Sequence, residues 1–283
     1  MVDGLKLALY GLHRGSGAEP ETLARRARAA EDAGFEALWV GDHIALPVDE
    51  SGDPAAQQRL EAVVALTYLA ALTTRIRLGF GVIVLPQRQP VLLAKQLSTI
   101  DFLSGGRLTV GIGVGWVEPE LAALGVPMAE RAARTDEYLA AMRVLWDEPT
   151  PSFTGEFVSF ADVIQRPRPV QRPHPPIVIG GHAPAALRRV VRSGNGWYGW
   201  DLDVEQTAVA LAGLREAQSR HGRPAELGEL EITITPPGLP DVGTARRYAD
   251  LGVHRLVLQP HTMDGSDLDE LIATVGETLV GRV

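Results

Sequence analysis

The stretch RLTVGIGVGW, residues 107–116, alternates Leu108, Val110, Ile112, Val114 and Trp116 with Thr109, Gly111, Gly113 and Gly115. A period of two marks a β-strand, here with one bulky face and one nearly bare face. Glycine inside a strand gives up packing and costs backbone entropy, so the bare face implies that something else takes up the space. Upstream, RIRLGFGVIVLP (75–86) repeats the pattern, with Gly79 and Gly81 opposite Leu78, Phe80, Val82 and Val84.

Working outward, short β-branched or alternating runs recur at 5–10, 37–40, 76–85, 108–114, 177–179, 196–200, 230–235 and 255–259, each followed by a segment of helical period. Pro20 opens one helix and Gly34 closes it; Pro90 opens another, closed by Gly105 and Gly106. Asp203 and Asp241 are N-cap residues by position, and Ser266 or Asp267 begins the last helix. Eight strand-and-helix units in 283 residues predict an α/β fold, a (β/α)8 TIM barrel forming one domain over residues 1–283. A doubly wound open sheet is the alternative. The connection between strands four and five is long, with a helix near 131–146 and then SFTGEFVSFADVIQRPRPVQRPHPP. It reads as an insertion covering the barrel mouth.

Composition narrows the function. Apolar content of 45% and charged content of 22% suit a globular enzyme, and a net charge of −8 argues against a nucleic-acid partner. The absence of cysteine removes disulfides, zinc–thiolate centres and cysteine nucleophiles. Seven histidines without a close ligand pair speak against a metal-dependent hydrolase, so no metal is expected. The opening MVDGLKLALYGLHRG has too short an apolar run for a signal peptide, and nowhere do 18 apolar residues run together. The expectation is a cytoplasmic protein with a small-molecule substrate and no membrane partner.

Consecutive barrel strands are neighbours, so Gly79 and Gly81 should line one wall with Gly111, Gly113 and Gly115. A bare wall near the C-terminal mouth, where such barrels carry their active sites, leaves room for a flat ligand. Alternatively, large side chains from other strands fill that space. The glycine spacing is not a dinucleotide fingerprint, which requires GxGxxG at a strand end opening a helix. After strand five, VIGGHAP places Gly180, Gly181, His182 and Ala183 ahead of a helix begun by Pro184, an arrangement suited to an anion and equally to an ordinary turn. WVGDHI delivers Asp42 and His43 to the mouth, either for proton transfer or as structural residues. Tyr10, His13, Trp116, Trp197, Trp200 and His261 are further ring-bearing candidates there.

The run FGVIVLPQRQPV followed by LLAKQLSTIDFLSGGRLTVGIGVGW resembles the bacterial luciferase-like superfamily. Gly115, Trp116 and Glu120 in a GW-x3-E pattern, then LGVP (124–127) and ERAARTDEYL, are similar to its branch that uses the deazaflavin coenzyme F420. The resemblance implies a planar ring at the mouth of strands two to four, a phosphate on the strand-five loop, and a non-prolyl cis peptide at Gly81-Val82. It also implies hydride transfer to or from F420, with His43 as proton partner and Asp42 either orienting it or touching the ring. FMN, in an FMNH2-dependent monooxygenase, is the alternative cofactor, and a cofactor-binding protein without catalysis is a third possibility. Where the family's sugar-phosphate dehydrogenases carry an acid this chain has Trp116, and where they have an aromatic it has Pro47. An apolar substrate, aromatic or unsaturated, is therefore expected over a sugar phosphate. The resemblance also implies a homodimer.

Overall fold

The computed structural model describes residues 4–47, 58–261 and 266–283. β1 (Lys6–Tyr10), β2 (Ala37–Val40), β3 (Arg77–Phe80), β5 (Leu108–Gly113), β8 (Ile177–Gly180), β9 (Gly196–Trp200), β10 (Glu231–Thr235) and β11 (Arg255–Leu258) pair in that order, and β11 pairs back with β1. Every one of these pairings is parallel, so the sheet closes into an eight-stranded barrel. β4 (Ile83–Val84) extends the line of β3 along β5. The run at 76–85, expected as one strand, is interrupted where the Gly81-Val82 peptide is cis.

Alternation sorts the side chains into two layers. Leu7, Leu9, Leu38, Leu78, Phe80, Leu108, Val110 and Ile112 pack outward against the helices in the main core. Ala8, Tyr10, Ala37, Trp39, Val178, Tyr198 and Val257 point into the lumen as a second cluster. Arg255, 3% exposed, sits among the inward residues at the strands' N-terminal ends, with its guanidinium on Glu36 at 2.8 and 2.9 Å and on Glu231. The same guanidinium lies 5.8 Å from the Trp39 ring, so that end of the lumen is filled.

The outer helices start and stop as their sequences direct. α1 (Pro20–Asp32) has Pro20 in its first turn and is followed by Gly34 at φ +88°. α2 (Ala62–Leu72) is capped by Glu61, and α3 (Pro90–Leu103) by Gln89. α4 (Glu118–Ala123) and α5 (Arg131–Asp147) follow β5. α6 (Pro184–Ser193), α7 (Val204–His221), α8 (Val242–Asp250) and α9 (Leu268–Thr278) complete the ring. Asp203 forms a capping box with Gln206, and Asp241 accepts from Thr244 N.

Only part of the long connection lies at the mouth as expected: α4 packs there against the segment after β2, and the rest runs along the side of the barrel. Its hairpin, β6 (Phe153–Thr154) and β7 (Ser159–Phe160), is tied to α5 by Glu137, which accepts the N–H groups of Glu156, Phe157 and Val158. The chain then follows α3 from its first turn, where Gln165 donates to Val91 O, to its end, where Asp101 accepts from Val170 and Gln171 N–H. This course returns the chain to the barrel's N-terminal end, where β8 must begin.

Candidate active site

Trp39 on β2 and Gly79 on β3 are directly paired in register. A Cβ at Gly79 would lie 2.6 Å from the Trp39 indole, and one at Gly81 would lie 2.9 Å from it and 3.2 Å from Tyr198. On β5, a Cβ at Gly111 would overlap the Phe80 carbonyl oxygen, and one at Gly113 would lie 2.6 Å from Val82 Cγ2. The expectation that five glycines border an empty slot is thus corrected. Gly79, Gly111 and Gly113 are buried and make room for the indole, a neighbouring backbone and Val82, while Gly115 makes room for Val84 and Leu121. Gly81 and Val82 are half-exposed, and with Val114 and Gly115 they form the accessible floor on this side of the mouth.

At the end of β2, Asp42 and His43 turn to different partners. Asp42 is 2% exposed; its carboxylate accepts Val84 N at 3.0 Å and Arg88 at 2.9 and 2.5 Å, and Arg88 also meets Glu61 at 2.5 Å. Asp42 therefore fixes the segment after Val82 and does not orient His43, which corrects the expected pairing. The partner of His43 is Glu120 in α4, with Nδ1 and Oε2 3.0 Å apart. The other oxygen of Glu120 accepts Ile44 N at 2.5 Å and Ala45 N at 3.1 Å. Burial raises the Glu120 carboxyl, but the bonds to His43, Ile44 and Ala45 outweigh it and hold the group below its ordinary range. A buried, ionised acceptor on Nδ1 directs the proton of a neutral imidazole to that nitrogen and leaves Nε2 to exchange one. The GW-x3-E pattern contained this residue, although its spacing alone did not connect it to His43.

After β8, Gly181 has φ +111°, and residues 181–185 are exposed at the N-terminus of α6, whose N-cap Ala183 supplies no side-chain cap. A helix start with free N–H groups favours an anion. His182 Nε2 accepts Trp200 N at 3.2 Å, and burial lowers the pKa of its imidazole. Gly180 lies below this loop, where a Cβ would come 3.1 Å from Val82.

The ring-bearing candidates separate. Tyr10 stands 5.6 Å from His13 and 5.4 Å from Trp200, both edge-on, and Tyr198 Oη shares a 2.6 Å hydrogen bond with Thr235. Trp116 is 78% exposed on the rim and His261 is exposed. Trp197 faces outward into the helix layer and donates to Gly181 O at 2.9 Å. Among the described residues no group of three or more His, Asp or Glu could hold a metal ion, and no helix is long and apolar enough to cross a membrane.

A closed, parallel eight-stranded barrel with a polar pair at the C-terminal ends of its strands defines an α/β barrel with a candidate site at the mouth. The chain belongs to the luciferase-like monooxygenase family, whose profile matches residues 7–258. It is 31% identical over 224 residues to an F420-dependent glucose-6-phosphate dehydrogenase of Kineococcus radiotolerans, covering 76% of this chain and 63% of that protein. It is 30% identical over 205 residues to an FMNH(2)-dependent dimethylsulfone monooxygenase of Pseudomonas putida, covering 71% and 54%. An F420-dependent secondary alcohol dehydrogenase solved with an F420-acetone adduct shares the fold, with a TM-score of 0.81 at 15% identity over 99% of this chain and 100% of that one. The family thus includes members that use F420 and members that use FMNH2.

Proposed function

We propose that the protein is an F420-dependent oxidoreductase that moves a hydride between the deazaflavin and a small organic substrate. The observation that carries this reading is the His43–Glu120 pair at the end of β2, adjoining the half-exposed Gly81-Val82 floor. The residues fit a planar, phosphorylated cofactor. Gly81, Val82 and Gly115 offer a flat support, and Gly181, His182 and Ala183 at the start of α6 offer N–H groups and a helix dipole for a phosphate. When bound, the deazaflavin supplies or accepts the hydride.

The chain's own residues do the rest. His43 exchanges the proton that accompanies hydride transfer, through Nε2. Glu120 fixes the imidazole's tautomer and orientation and holds the 43–45 backbone. Asp42 and Arg88 keep the Val82–Val84 segment in place. Trp116 and Trp200 make the rim aromatic, in keeping with an unsaturated or aromatic substrate. FMNH2-dependent monooxygenation is the second reading, favoured by the Pseudomonas putida relative. The test is a screen of enones, imines and alcohols for redox change of F420 by the loaded enzyme. Oxygen-dependent turnover with FMNH2 and none with F420 would select the second reading.

A further inference from the structure

The rim residue Trp200 is held by a bond that strand pairing does not supply. β8 pairs with β9 as far as Gly180, opposite Tyr198, and Gly181 at φ +111° then turns the chain away. On its other side β9 stays paired with β10 to its end, with Thr235 opposite Trp200. Beyond the end of β8 it is the imidazole of His182, through Nε2, that accepts Trp200 N–H at 3.2 Å. An imidazole nitrogen accepts only while it carries no proton, and burial lowers the pKa of His182, which favours that form. The loop itself is anchored from the same strand: Trp197 Nε1 donates to Gly181 O at 2.9 Å, and the His182 and Trp197 rings stand edge-on 6.1 Å apart.

What this bond holds is an aromatic face. The Trp200 ring, 38% exposed, meets the buried rings of Tyr10 at 5.4 Å and Tyr198 at 6.2 Å, both edge-on. Tyr198 reaches the floor of the mouth, since a Cβ at Gly81 would lie 3.2 Å from its hydroxyl, which shares the 2.6 Å bond with Thr235. Past Trp200, Asp201 takes φ +57°, and the chain is then fixed by buried groups: Leu202 N donates to Thr235 O at 3.1 Å, and the Tyr248 hydroxyl donates to Leu202 O at 2.7 Å. Of these ties, the one from His182 is made by an exposed side chain. Aromatic rings gain from edge-on and offset contact beyond the area they bury, whereas a saturated ring of the same size gains burial alone.

We propose that His182 is a positioning residue of the substrate site: through Nε2 it sets the Trp200 indole against Tyr10 as a face that selects an aromatic ring over a saturated one. This names a substrate class within the proposed function and rests on that reading for its redox step alone. The test is calorimetric titration of the full chain, without cofactor, with acetophenone and with cyclohexyl methyl ketone, its saturated analogue. The expected result is acetophenone binding about three- to tenfold tighter. That preference should fall below about twofold in Trp200→Leu and in His182→Leu, which has no acceptor, and be kept in His182→Gln, whose amide oxygen can accept the same N–H. Equal affinity for the two ketones in wild type, no acetophenone binding at millimolar concentration, an unchanged preference in His182→Leu, or its loss in His182→Gln would overturn the proposal. Comparing FMN with riboflavin in wild type and His182→Leu tests the competing role of the imidazole. A loss confined to FMN, with the ketone preference unchanged, would assign His182 to the cofactor's phosphate and refute its role at Trp200. Since ketone binding needs no hydride transfer, it can fail or succeed independently of F420 chemistry.

Discussion

Replacing Glu120 by Gln tests the proposed proton-handling role of the His43–Glu120 pair with little change of shape. Glu120 is 1% exposed and accepts three hydrogen bonds, one from His43 and two from Ile44 and Ala45 N–H. In Glu120→Gln the amide oxygen can keep both backbone bonds while the NH2 group faces His43 Nδ1. Two donors then meet, and the imidazole relieves the conflict by moving its proton to Nε2, the nitrogen assigned to proton exchange. A hydrogen bond to a charged group contributes about 1.5–3 kcal/mol, so a transition state that relies on it loses about ten- to a hundredfold in rate. The assay is kcat for deazaflavin turnover, with cofactor Kd and Tm measured on the same preparations. The expected outcome is the kcat loss with cofactor Kd unchanged within about threefold. A Glu120→Gln enzyme with wild-type kcat would refute the role of the pair.

Asp42→Asn leaves Arg88, largely buried, without its main counter-charge; breaking such a pair costs about 3–5 kcal/mol, measured as a fall in stability to chemical denaturation. Gly113→Ala places a Cβ 2.6 Å from Val82 Cγ2 and is expected to weaken cofactor binding, and Val82→Ala in the same chain is expected to restore it because it removes the opposing methyls. Partial burial raises the Glu31 carboxyl, but the N–H groups of Ile76, Arg75 and Thr74 bring it down to about 2 from 4.5. A lowered carboxyl stabilises the fold above its unfolded value, so this contribution is complete above pH 4.5 and is lost as pH falls towards 2; Glu31→Gln should remove that part of the acid transition. We propose a homodimer as well. α2 has no charged residue and exposes Val64 and Tyr68, a face suited to burial, so sedimentation should show a dimer for wild type and a monomer for Tyr68→Glu.

The barrel was legible because its signals are local. Period-two runs, Pro20 and Pro90 at helix starts, and Asp203 and Asp241 as caps each act within a few residues, and the structure places them as their chemistry directs. The occupant of the glycine wall was harder to see. Alternation shows which face is bare, whereas the filler, Trp39, comes from the adjacent strand and is found only once the β2–β3 register pairs it with Gly79. The partner of His43 was hidden for a related reason. Asp42 is next to it in the chain, but consecutive residues of an extended segment project in opposite directions. Glu120 is 77 positions away and reaches His43 only because α4 packs at the mouth. The descent of the long connection along α3 follows from where β8 must start, a constraint set by the closed barrel and absent from the segment's own composition.

The proposed function rests on F420 binding at the mouth. Its most direct test is titration of the purified apoprotein with F420 and, separately, with FMN, followed by fluorescence. The account predicts saturable, stoichiometric F420 binding that is weakened by Gly113→Ala. Tight FMN binding with no F420 binding, or no binding of either, would contradict it.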